Sequence, residues 1–312
     1  MRPVILDIDP GVDDALALLM AVHSPELEII GLTTTSGNMP LDQTTENALK
    51  VLELVGRTDI PVCMGAARPL VGEARHAYEV HGAEGLGAAE LPDPEAMPAG
   101  DAIDFLIEGI EARLGEVIVV ATGPLTNLAM AEAKRPGILS QCRRLVIMGG
   151  VLHEPGNISP HTEFNFHADP HAARQVINSG ANIALIPLEA ARQLWLDQDL
   201  LEARLAGRTD ALARFCAAAT QTVMAFETQL YGRRGMHLHD PLAVGLSIFP
   251  ALCEVKPMFI DVEPEGQLTS GQLVVDRRPF VIDDHLVGRQ VECAVKVNVP
   301  GFLELFLDRL LQ

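Results

Sequence analysis

Short apolar runs alternate with amphipathic stretches along most of this chain. Residues 4–6, 27–35 (LEIIGLTTT), 60–64, 117–121 (VIVVA), 145–148 (LVIM) and 182–187 are compact and rich in β-branched side chains. Such runs suit strands buried on both faces of a parallel sheet. Helical spacing starts at Ala15 and recurs at 41–55, 102–114, 125–134 and 170–179. Glycine and proline punctuate the joins: Pro10 and Gly11, Ser36 to Asn38, Gly123 and Pro124, Gly149 and Gly150. Gly56 is placed to stop a helix, Asp169 to cap one with Pro170 at its first position, and Pro61 to mark a strand near an edge. This alternation predicts an α/β fold, a doubly wound, mainly parallel sheet flanked by helices, in one domain over residues 1–312.

After residue 190 the pattern changes. Residues 197–230 read as helix with a break near Gly207, 231–235 as a turn, and a short helix runs to Phe249. Residues 256–263, 272–276 and 291–299 predict a small C-terminal antiparallel meander, and 302–311 a final helix. Two stretches lack a period. Residues 72–100 form a long loop carrying His76, Tyr78, His81 and Gly82, the kind of loop that serves as a lid. Residues 151–169 carry His153, Asn157, His161, Glu163, Asn165 and His167.

Composition narrows the function classes. Of 312 residues, 48% are apolar but only 4% aromatic, so Ala, Leu, Val and Ile fill the core. Acidic residues outnumber basic ones 42 to 23, a formal charge of -19, which argues against nucleic acid and anionic membranes as partners. No apolar run is long enough to span a bilayer, and the first strand leaves no room for a signal peptide. Five scattered cysteines without a CxxC pair suit a reducing compartment, so a cytoplasmic location is expected.

Candidate chemistry concentrates where strand gives way to helix. Asp7, Asp9, Asp13 and Asp14 crowd the end of the first strand and the first turn of the following helix. Two of them could cap the helix while the others face water. The bend at Pro10 and Gly11 favours a second reading, in which both pairs converge on a hard cation, Ca²⁺ or Mg²⁺. Other polar groups sit at the same predicted sheet edge or in the adjoining loops: Asn38, Thr122, Met148 with its glycines, Glu163, Asn165, His239 and Asp240. Asp240 before Pro241 could be a helix cap, or a further acid for a metal with an imidazole, His239, beside it to protonate a leaving group.

Six blocks in order resemble the inosine–uridine nucleoside hydrolases: DIDPGVDD from Asp7, SGN at 36–38, ATGPLTNLA at 121–129, MGG at 148–150, GNISPHTEFNFHADP at 156–170 and HDPLA at 239–243. The resemblance implies hydrolysis of a ribonucleoside to ribose and free base. It implies Ca²⁺ held by Asp9, Asp14, the main-chain oxygen of Thr122 and Asp240, with Asp9 also the general base for the attacking water. Asp13, Asn38, Glu163 and Asn165 would hold ribose hydroxyls, with Asn157 and Met148 near the sugar. His239 would face the leaving base, helped by His81, and Asp7 would orient Asp9 or its neighbours. Family members are commonly homo-oligomers, so a dimer or tetramer is expected.

The chemistry is coherent, because an oxocarbenium-like sugar is stabilised by fixed carboxylates. Two rival readings remain: a Mg²⁺-dependent phosphohydrolase with Asp7 or Asp9 as nucleophile, and a nucleoside- or ribose-binding protein without catalysis. The DPGxDD continuation does not resemble the phosphohydrolases that open with DxD. Arg233, Arg234 and His237 make the approach to Pro241 more basic than the family pattern, and aromatics for stacking a base are few: Phe164, Phe166, Trp195, Phe226 and Tyr231. The residues predict ribose over deoxyribose and leave purine against pyrimidine open.

Overall fold

The computed structural model describes residues 1–279 and 286–312. Among the described residues twelve strands form: β1 (Arg2–Ile8), β2 (Leu27–Thr34), β3 (Val62–Met64), β4 (Gly100–Asp101), β5 (Ile118–Ala121), β6 (Arg144–Met148), β7 (Ile183–Ile186), β8 (Trp195–Asp197), β9 (Gly235–His237), β10 (Cys253–Glu263), β11 (Gln272–Val275) and β12 (Arg289–Val297). Ten of them make one sheet in the order β11-β10-β12-β7-β6-β5-β1-β2-β3-β4. From β4 to β12 every pairing is parallel. The short apolar runs become strands because both faces are covered. Val4, Leu6 and Ile8 point into one helix-packed core, and Ile5 points into the other.

This topology positions the site. From β1 the chain winds outward through β2, β3 and β4, then returns to β1's other side and winds away through β5, β6 and β7. The order reverses between β1 and β5, and the loops leaving those two strands open a crevice at their carboxyl ends. Asp7 lies in register with Thr33 on one side and Ala121 on the other.

Several boundaries differ from the sequence reading for local reasons. The first helix starts at Val12, not Ala15, with Gly11 at its N-cap and Asp13 and Asp14 in its first turn. β3 lies near the edge as Pro61 suggests, one strand in, with Gly100–Asp101 pairing alongside it as the outermost strand. The two stretches read as irregular each contain a short helix, Tyr78–His81 and Phe164–Ala168. The break near Gly207 is present between helices Gln198–Leu205 and Ala211–Tyr231, and Gly207 has φ +80°. β8 and β9 form an additional antiparallel pair at the two ends of that segment. The three C-terminal strands are antiparallel among themselves as expected. However, β10 lies between β11 and β12, and β12 pairs in parallel with β7. They therefore extend the main sheet. Helix His239–Ile248 begins two residues before Pro241, and Asp240 lies inside its first turn, with Leu238 at the N-cap. Among the described residues, no helix is long and apolar enough to cross a membrane.

Candidate active site

β1 ends at Ile8, and the bend at Pro10 and Gly11 turns the chain into the first helix. This brings the carboxylates of Asp13 and Asp14 against Asp240 from helix His239–Ile248, with one oxygen of each within 4.8 Å of the others. Asp9 is fully buried. Its Oδ2 accepts the Asn38 main-chain N–H at 2.6 Å, while its Oδ1 has no hydrogen-bond partner. Two glycines make room for it. A Cβ on Gly123 would stand 2.7 Å from Asp9 Oδ1, and one on Gly37 would overlap Asp9 Oδ2. Asp14 is satisfied by Gly11 N–H (3.1 Å), Asn38 Nδ2 (3.0 Å) and Thr122 Oγ1 (2.7 Å). Asp7 accepts from Thr33 Oγ1 at 2.6 Å and Asn127 Nδ2 at 2.8 Å.

Burial raises the proton affinity of all these acids. Asp7 is pushed up to about 6 by burial, against the two hydrogen bonds that oppose it. Asp13 and Asp14 are each pushed up to about 6, again mainly by burial. Asp9 and Asp240 are raised well above the ordinary range, by burial first and then by their acidic neighbours. Among the described residues, the only basic groups within 4 Å of any of the five are His81 and His239, at 3.9 and 3.8 Å from Asp13. One oxygen on each of Asp7, Asp9 and Asp13 is buried and unpartnered. Excess buried negative charge with bare oxygen donors fits a hard divalent cation.

The remaining predicted residues ring the same cavity of about 570 Å³. Glu163 caps helix Phe164–Ala168, accepting from Asn165 and Phe166 main-chain N–H, and also takes the Gly150 N–H at 2.9 Å. Burial raises its carboxyl despite those donors. Asn165 Nδ2 reaches the Thr122 main-chain oxygen at 2.6 Å and that of Met148 at 3.3 Å. Asn157 sits exposed at the rim, accepting the Phe164 N–H at 2.9 Å. His81 Nδ1 accepts the Val12 N–H at 3.1 Å, which puts the ring proton on Nε2. Burial lowers this imidazole to about 4. His239 is lowered further, to about 3, by burial and then by the neighbouring His237. The lowering favours the neutral ring, which has one N–H to offer a leaving group.

Sequence reasoning overlooked several supporting groups. Asn127 lies inside the ATGPLTNLA block, and its amide ties Asp7 to the Thr34 carbonyl and the Ala66 N–H. Arg192 fastens the loop before Asn157 through Glu154 and the Pro155 and Gly156 carbonyls. Glu227 and His237 bond to each other in the cavity wall. No local signal marks Glu227, since an acid within a long helix reads as a solvated face.

Comparison with known proteins accords with this geometry. Residues 4–304 match the family model of inosine–uridine preferring nucleoside hydrolase. The pyrimidine-specific ribonucleoside hydrolase RihA of Shewanella sp. (strain ANA-3) is 36% identical over 99% of this chain and 96% of its own. Two solved structures superpose with a TM-score of 0.91 at 33% identity, covering 99% of this chain and 98% of theirs: the plant nucleoside hydrolase PpNRh1 and a purine-preferring ribonucleoside hydrolase from Gardnerella vaginalis. A match along nearly the whole length, in both sequence and fold, means that the chain belongs to the inosine–uridine preferring nucleoside hydrolase family, enzymes that cleave N-glycosidic bonds.

Proposed function

We propose that this protein hydrolyses ribonucleosides to ribose and free base with a Ca²⁺ ion held by Asp9, Asp14, Asp240 and the main-chain oxygen of Thr122. The observation that supports the reading is the convergence of Asp13, Asp14 and Asp240, with Asp9 Oδ1 left bare, at a cavity lined by Asn38, Asn157 and Asn165. When bound, the ion supplies positive charge that acidifies water and attracts neighbouring hydroxyl oxygens. Asp9 takes the proton of the attacking water on Oδ1, the oxygen no protein donor claims. Asp13, Asn38, Glu163 and Asn165 hold the ribose hydroxyls, with Met148 and Asn157 closing over the sugar. The fixed carboxylates stabilise the cationic sugar as the bond breaks. His239 and His81 give N–H groups to the departing base, and Asp7, braced by Thr33 and Asn127, keeps the end of β1 in place.

The reading also implies a cytoplasmic location and a homo-oligomer, dimer or tetramer, whose subunit number sedimentation measures. A panel of ribonucleosides assayed for reducing sugar, before and after exhaustive chelation, tests the reaction. Activity should vanish on chelation and return with Ca²⁺. Asp9→Asn should lose at least about a hundredfold in turnover, whereas Lys256→Ala, exposed on β10, should change little. Full activity after chelation, or turnover of phosphate esters through a phosphorylated aspartate, would overturn the proposal.

A further inference from the structure

Beyond His239 the cavity wall is built by elements the reaction leaves unused: the β8–β9 pair and the end of helix Ala211–Tyr231. Trp195 and His237 sit opposite each other across that pair. Their rings meet edge to face at 4.8 Å, and Tyr231 meets His237 the same way at 5.0 Å. Arg233 covers the Trp195 ring at 4.9 Å. These contacts fix the plane of the His237 imidazole.

Glu227 lies one helical turn before Tyr231 and shares its face. Its Oε2 stands 2.6 Å from His237 Nδ1 and 3.0 Å from the His237 main-chain nitrogen. An amide N–H can only donate, and a carboxylate oxygen that collects it collects a second N–H from Nδ1. With Nδ1 carrying the proton, the neutral form of the ring has its lone pair on Nε2. Among the described residues nothing bonds to Nε2, and His237 lines the cavity 5.6 Å, ring to ring, from His239. An acceptor facing this cavity is placed to meet a donor on whatever fills it.

We infer that His237 determines base specificity: Nε2, held as an acceptor by Glu227, takes a hydrogen bond from an imide-type N–H on the edge of the base remote from the sugar, as in uracil or hypoxanthine. Glu227 is a positioning residue that acts through the imidazole. The inference rests on the ribonucleoside reading above, since His239 must face the base for His237 to meet its far edge.

The test compares kcat/KM for uridine with 3-methyluridine, and inosine with 1-methylinosine. Each methyl group removes the donor and leaves the glycosidic bond intact. The native enzyme should prefer the unmethylated nucleoside by about tenfold or more. His237→Phe, which keeps the ring contacts, should bring the ratio to within about twofold by losing activity on uridine and inosine. Glu227→Leu should lower the ratio as well, and Glu227→Gln, whose amide oxygen still accepts from Nδ1, should restore it. Nitrogen-15 spectra of the calcium-loaded native enzyme should show Nδ1 protonated and Nε2 pyridine-like at neutral pH, a readout independent of any variant's folding. A protonated Nε2, or an unaltered ratio in His237→Phe, would overturn the inference while leaving nucleoside hydrolysis standing. Failure of the native enzyme to release sugar from either parent nucleoside would instead overturn the reaction itself.

Discussion

Gly37→Ala puts one methyl group where Asp9 has none to spare. The backbone at Gly37 is not left-handed, so alanine can adopt it without torsional strain. The cost is purely one of space: the new Cβ would overlap Asp9 Oδ2 and stand 2.7 Å from Pro124 Cδ. Pro124 follows Gly123, which closes the other side of Asp9, so the carboxylate has little room to retreat. Overpacking of this kind costs about 1–3 kcal/mol. If that energy is relieved by moving Asp9, kcat/KM for a ribonucleoside should fall between about fivefold and about 150-fold. If it is retained, urea unfolding should register the same loss as a lower midpoint at constant slope. Gly100→Ala is the matched control, because its Cβ meets nothing within 4 Å. Gly37→Ala with native activity and native stability would refute the claim that the Asp9 cradle is closed on that side.

Glu189 supplies a pH-dependent brace for the loop before Asn157. Burial pushes its carboxyl up, but N–H groups of Leu152 (2.8 Å), His153 (2.6 Å) and Glu154 (2.9 Å) outweigh that and hold it below its ordinary value. A depressed folded pKa stabilises above the unfolded value, and that stability is lost as pH falls through the folded value. The stability gap between native protein and Glu189→Gln should therefore be wide at pH 7 and narrow in acid; a constant gap would contradict this. Burial raises the thiols of Cys142 and Cys216 to about 12, and all five cysteines are buried and free. A thiol reagent at neutral pH should accordingly count almost no cysteines in the native protein and five in urea, and rapid native labelling would count against the packing described.

The parallel part of the sheet was legible because strands covered on both faces must be continuously apolar, as in VIVVA. Its helices were legible from periodicity and caps, such as Asp169 with Pro170. β4, β8 and β9 were not, since two or three residues are too few to show alternation. The C-terminal strands were recognisable one by one, but their order depends on pairing across long separations, which no local pattern encodes. At the site, the blocks DIDPGVDD and HDPLA announced the acids. Which carboxylates touch was not readable: in this structure Asp13, rather than Asp9, joins Asp14 and Asp240. Glu227 and His237 were unreadable as a pair, because a helix end and a turn separate them along the chain.

The placement of β12 has a consequence for shortened forms of the chain. It is the last strand to be synthesised, yet it is wedged between β7 and β10. A truncation ahead of Arg289 would strip β7 of its outer neighbour and cast the β10–β11 hairpin adrift. Unpaired N–H and C=O groups would then line two raw borders, both open to association with other copies. Such fragments are expected to aggregate even though every acid from Asp7 to Asp240 lies within them.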